Sequence, residues 1–171
     1  MNRHTIPSQF TLKRLLPAHW QDYKTIRLEA LQTNPEVFSS NYAREAAYQP
    51  QEWQALLGGE TRAMFALYDN TALIGVTGVV QDRADPSTAI LIASFIKPAY
   101  RKAGLSALFY EARIDWARAQ KCSVVKVSHR AGNEASKAAN QRFGFIYSHS
   151  EMVDWPDGKR AEEVFYTLPL S

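Results

Sequence analysis

In "KPAYRKAGLSALFYEARIDWARAQ", Lys97 to Gln120, a proline is followed by two adjacent cations, a glycine and then a strongly patterned helix. The first turn of a helix carries main-chain N–H groups without intrahelical acceptors. The helix dipole adds about half a positive charge at that end. Together they bind phosphates. Gly104 lets the backbone approach a ligand or take a positive φ, and Arg101 and Lys102 add charge. The same residues would also make an ordinary capped helix start with exposed cations. A second chemically able residue is His129, at the end of "SVVKVSH". Strand alternation puts Val125, Val127 and His129 on one face. Imidazole, with an unperturbed pKa of about 6.5, suits a base at neutral pH. The alternative is a strand-end histidine bonded to a loop carbonyl.

The elements that would position these residues follow from patterning. "FTLKRLL" (Phe10 to Leu16) reads as a strand, ended by Pro17, which suits the first turn of a helix. Trp20, Tyr23, Ile26 or Arg27, and Ala30 or Leu31 recur at helical spacing. "NPEVFSSNYAREAAYQ" is mixed, a loop or short helix, and Pro50 opens another short helix. "RAMFALYD" and "ALIGVTGVVQ" form a hairpin around Asp69 and Asn70. "STAILIASFI" is apolar on both faces and is placed centrally. The helix after Gly104 presents Leu105, Leu108, Phe109, Ala112 and Trp116 on one face. A strand, the short helix "NEASKAANQRF" capped by Gly144, and two strands joined by "PDGK" complete the chain. The strand–helix–strand centre implies a parallel crossover among antiparallel neighbours. The expected fold is a mixed α+β sheet with helices on both faces.

A length of 171 residues predicts a single domain over 1–171. Such a chain buries roughly 70% of its extended surface and needs no staples. Twenty Lys+Arg against 17 Asp+Glu leave +3, too small an excess to argue for nucleic acid. The basic residues are scattered and no readout motif is visible. Cys122 is the one cysteine, which excludes an internal disulfide and a thiolate metal cluster, so no metal is expected. It is read as an inert buried thiol in a reducing compartment. The opening "MNRHTIPSQFTLKRLL" lacks the apolar core of a signal peptide. No run approaches the ~20 apolar residues of a membrane span. The expectation is a cytoplasmic protein with neither membrane nor nucleic-acid partner.

"FIKPAYRKAGLSALFYEA" resembles the acetyl-CoA-binding motif of the GNAT N-acetyltransferase superfamily: a strand, an apolar-x-Pro step, then Arg/Gln-x-x-Gly-x-Gly/Ala opening a long helix. Ile96, Lys97 and Pro98 match the strand exit, and Arg101 and Gly104 match the loop. Ser106 replaces the last small residue, and Lys102 stands where many members have another glycine. "NEASKAANQRFGF" resembles the family's downstream motif through Asn133, Ser136, Gly144 and Phe145. "RLEALQTNPEVF" and "EWQALL" also look like bacterial members, so the resemblance covers nearly the whole chain. It implies a mostly antiparallel twisted sheet with one splayed parallel pair. It implies acetyl-CoA as acyl donor, its pyrophosphate on Arg101, Lys102, Ala103, Gly104, Leu105 and Ser106. Phe95 and Ile96 would offer backbone to the pantetheine arm, with Asn133 and Ser136 alongside.

The implied reaction is direct transfer of acetyl to a primary amine on a small molecule, a peptide N-terminus or a lysine. Neutralising a lysine-like amine of pKa ~10.4 at pH 7 costs roughly 4.6 kcal/mol, part of which a general base offsets. His129 and Glu45 are the candidates; Glu45 lies in a segment that often shapes the acceptor pocket, and a solvated loop carboxylate is its alternative reading. Main-chain N–H groups would stabilise the oxyanion. Many members carry a tyrosine in the second-motif helix as acid for the departing thiolate. Counting from Asn133 to Gly144 puts Asn140 there. Asparagine can hydrogen-bond the sulfur and cannot give it a proton. That departure motivates a rival expectation, an acyl-CoA-binding sensor or partner-binding module without turnover. Homodimers are common in the family, and nothing in the sequence marks an interface.

Overall fold

The computed structural model describes residues 6–171; Met1 to Thr5, where the segment read for a leader begins, lie outside the described residues. Seven strands form one sheet: β1 (Phe10–Leu15), β2 (Arg62–Asp69), β3 (Ala72–Gln81), β4 (Thr88–Ile96), β5 (Val124–Arg130), β6 (Ile146–Asp154) and β7 (Arg160–Pro169), in the order β1-β2-β3-β4-β5-β7-β6. The helices are α1 (Trp20–Thr33), α2 (Tyr42–Ala46), α3 (Pro50–Ala55), α4 (Ser106–Ala119) and α5 (Glu134–Arg142). β4 is central, and its pairing with β5 is parallel while the other pairings are antiparallel. This is the expected mixed sheet. Among the described residues, no helix is long and apolar enough to cross a membrane.

Period-2 burial divides the core between the two faces of the sheet. Met64, Ala66, Val76 and Phe95 pack under Tyr23, Ile26 and Leu31 of α1 and Trp53 of α3. On the other face, Ala63, Val79, Ala89 and Val125 meet Tyr110 and Trp116 of α4. Leu67 and Ile74 meet Leu105, Leu108 and Phe109. Asn70, at φ +52°, closes the β2–β3 hairpin, a left-handed turn that asparagine tolerates. One local detail differs from the sequence pattern: Pro17 starts a short 3-10 turn ahead of α1. Of the two readings open for the mixed segment, "YAREA" takes the short helix, where the Asn41 side chain accepts from the Arg44 N–H at 2.8 Å.

The parallel pair separates. β4 and β5 are in register only at Thr88↔Val124, Ala89↔Val125 and Ile90↔Lys126, yet β4 continues to Ile96 and β5 to Arg130. Two features hold them apart. On one side, β3 and β4 lose register between Val76↔Phe95 and Gly78↔Ile92, so Thr77 faces both Ala93 and Ser94, with Ala93 at φ +60°. A bulge bends the strand that carries it. On the other side, β5 stays paired with β7 along its whole length, from Val124↔Pro169 to Arg130↔Glu163. The result is a gap opening toward the C-terminal ends of both strands.

Candidate active site

The segment between β4 and α4 turns through Pro98–Tyr100 and then takes two left-handed residues, Lys102 at φ +64° and Gly104 at φ +78°. Glycine adopts that conformation freely. Lysine is strained there, and strain of this kind collects at functional sites. The consequence is that the main-chain N–H groups of Lys102 through Ser106 have no acceptor among the described residues. They precede a 14-residue helix, so an exposed run of donors coincides with the positive end of a helix dipole. Lys102 is exposed beside it. Arg101 serves differently from a free cation. Its Nε donates to the Ile96 carbonyl at 2.7 Å and its Nη2 to Asn34 Oδ1 at 2.6 Å, and the guanidinium lies 5.5 Å from the Phe95 ring centre. It ties the loop to β4 and to the end of α1.

The loop forms one wall of a cleft of about 1020 Å³. Phe95 and Ile96 line it from β4, Arg101, Lys102, Gly104, Leu105 and Ser106 from the loop, and Asn133 and Ser136 from the start of α5. Ala103 does not line it. Asn133 has a local task as well, since its Oδ1 accepts from the Ser136 N–H at 3.1 Å and caps α5. A smaller branch of about 150 Å³ shares Ser94, Tyr110, Arg113 and Ser136 with the cleft and runs between the separated strands. Leu91 to Ser94 form one side and Val127 to His129 the other, with Asn140 also lining it.

His129 is thus in the branch, and buried. Its Nδ1 is 2.8 Å from the Arg130 carbonyl and so carries the proton, which leaves the Nε2 lone pair toward the Tyr166 hydroxyl at 3.2 Å. The ring also stacks on Tyr166. One nitrogen therefore does bind a main-chain carbonyl, as the structural alternative requires. Glu45 does not join the site. It lines neither cavity, and Arg27 Nε and Nη2 hold its two oxygens at 2.8 and 2.9 Å. Burial alone would raise the Glu45 carboxyl; the Arg27 hydrogen bonds and charge outweigh it and hold the group below the usual carboxylate range, which makes a weak base. Trp155 also lies off both cavities, under the Arg130 guanidinium at 5.1 Å.

Two residues of the branch escaped the sequence reading. Tyr110 is buried and donates from its hydroxyl to Asn140 Oδ1 at 2.5 Å. Arg113 is 3% exposed. Its Nε donates to the Phe109 carbonyl at 3.0 Å and its Nη1 to the Ser94 hydroxyl at 2.9 Å. Burial brings the Arg113 guanidinium down to about 10, so it remains a cation at neutral pH. The available signal was spacing: Arg113 falls four residues after Phe109, on the apolar stripe of α4.

The sequence model of the Acetyltransferase (GNAT) family matches residues 20–145. The chain belongs to that family. The fold agrees. A GNAT-family acetyltransferase from Streptococcus pneumoniae superposes with a TM-score of 0.80 at 16% identity, over 95% of this chain and 99% of that one. The acetyltransferase yncA of Salmonella typhimurium, solved with its cofactor acetyl-CoA, gives 0.73 at 18%, over 96% and 95%. The ribosomal-protein-S18-alanine N-acetyltransferase of Escherichia coli gives 0.69 at 18%, over 95% and 94%. No curated protein matches the sequence. As a family member the protein is an acyltransferase, with acetyl-CoA as acyl donor. Its described residues fit that donor, with partnerless loop amides for phosphate and a cleft that continues into a smaller branch between the strands.

Proposed function

We propose that the protein transfers acetyl from acetyl-CoA to a primary amine on a small molecule, a peptide N-terminus or a lysine. The observation that carries this reading is the juxtaposition of partnerless amides from Lys102 to Ser106 with a branch entering the gap between β4 and β5. The loop amides bind the pyrophosphate, assisted by Lys102. Phe95 and Ile96 flank the pantetheine arm; the Ile96 carbonyl is already taken by Arg101. His129 Nε2 accepts the proton of the attacking amine by exchanging its Tyr166 hydrogen bond for it. Nothing comparable supports Glu45 as base. The Escherichia coli protein named for ribosomal protein S18 makes a peptide α-amine one acceptor class to include in a screen.

The test is a thermal-shift titration with acetyl-CoA followed by a thiol-release screen over amines and peptides. A ligand at a hundred times its Kd adds about 2.7 kcal/mol of stability, so the melting temperature should rise. Thiol release on one amine class would establish the transferase and its acceptor. His129→Ala should keep the stabilisation and lose most of the release. Stabilisation without release on a broad panel would favour an acyl-CoA-binding sensor. No stabilisation at millimolar acetyl-CoA would overturn the cleft assignment.

A further inference from the structure

Arg113 is a buried cation with no anion beside it among the described residues. Its nitrogens meet only neutral acceptors, the Phe109 carbonyl and the Ser94 hydroxyl, and the Ser94 hydroxyl is in turn 2.7 Å from Thr77 Oγ1. The guanidinium lies over the Tyr110 ring, 5.2 Å from its centre. Among the described residues no carboxylate pairs with it. A buried charge is costly unless it is paired. Asn140 shows a second unmet need in the same branch. It is 2% exposed, its Oδ1 is occupied by Tyr110, and its Nδ2 has no acceptor. A buried donor without an acceptor is likewise unfavourable. Two buried donor groups, one of them charged, thus face a branch to which the described residues bring no anion.

An acetyl group carries no charge, whereas breaking the thioester leaves a negative charge on sulfur. We propose that Arg113 and Asn140 receive the departing sulfur of coenzyme A as a thiolate, with Tyr110 as the positioning residue that turns the Asn140 N–H toward it. This rests on the acetyl-transfer reading. The amine nitrogen bonds to the acyl carbon, the carbon–sulfur bond breaks with its electron pair on sulfur, and the amine proton passes to His129. The sulfur carries the negative charge until a proton reaches it. A guanidinium and a carboxamide N–H stabilise that charge without giving up a proton. They take over the work of the acid that Asn140 replaces in the family pattern.

The test uses binding, so that it needs neither turnover nor a known acceptor. Coenzyme A and its desulfo analogue are titrated into the protein by calorimetry across a pH series, with the thiolate absorbance of bound coenzyme A followed in parallel. In the wild type, the bound thiol should ionise about one unit or more below the free thiol. Affinity for coenzyme A should then gain about tenfold on the desulfo analogue as pH rises, about 1.4 kcal/mol. Arg113→Met should abolish the gain, so that coenzyme A and its desulfo analogue no longer differ in pH dependence. Arg113→Lys should restore part of it, and Tyr110→Phe should reduce it. If Arg113→Met does not fold, Asn140→Leu provides the comparison, with a smaller loss. Equal pH dependence for both ligands in the wild type would overturn the proposal and leave the acetyl-transfer reading standing. Failure of both ligands to bind would overturn both.

Discussion

Glu45 and Arg27 show how one contact decides a residue's chemistry. Glu45 is 4% exposed, and Arg27, gripped by it, also lies 4.9 Å over the Phe38 ring. Removing one member of a buried pair leaves the other charge uncompensated, at a cost of about 3–5 kcal/mol. Glu45→Gln should destabilise the protein by that order at neutral pH. The folded carboxyl is held below its ordinary value, so its contribution is present above the unfolded pKa of about 4.3. It is lost as pH falls through the folded value. Urea melts of wild type and variant should therefore converge under acid conditions. A stability gap that persists unchanged into strong acid would mean that the pair's charge is not what Glu45 supplies. The sequence left the residue's segment between a loop and a short helix. Its partner was not legible there, because Arg27 lies on another helix and the two meet only when α1 and α2 pack.

The element that sets the site is β4, with its bulge and its exit. Gly75 on β3 lies opposite Ile96, and a Cβ there would come 2.8 Å from the Phe95 carbonyl and 3.2 Å from Phe109 Cζ. The first contact is main chain and cannot rotate away. Gly75→Ala should force β3 and β4 apart near Phe95, at about 1–3 kcal/mol by analogy with overpacking. Acetyl-CoA affinity should fall with it, because Phe95 and Ile96 line the cleft. Differential scanning calorimetry and a binding titration check both halves. Lost stability with wild-type affinity would show that the cleft does not depend on this strand exit. The strand itself was plain from "STAILIASFI". The bulge was not, since Ala93 and Ser94 bear no mark of a positive φ, and the irregularity arises only when β4 is matched against β3.

At the scale of the molecule, the sheet is two paired halves joined over three residue pairs, Thr88↔Val124 to Ile90↔Lys126. Beyond them, the facing edges of β4 and β5 lack a neighbouring strand. Peptide-resolved hydrogen exchange should show fast exchange at gap-facing amides within 91–96 and at 102–106. Adding acetyl-CoA should protect these segments, and 127–131, by more than it protects β1 and β2. An equal gain throughout the chain would count against the cleft as the place where the ligand lies.

The sequence by itself determined what is local. Helical and strand periodicity, the Arg101–Ser106 loop, the Asn133 cap and the inward face of β5 all depend on residues within a few positions of one another, where backbone sterics and side-chain spacing act directly. Only the tertiary structure decided what those parts meet. It folded Arg101 back onto Asn34, paired Glu45 with Arg27, and brought Tyr110 to Asn140 and Arg113 to Ser94. Each of those contacts joins separate elements, so its geometry depends on strand order, one bulge and the packing of α4 and α5, which no short stretch of sequence encodes.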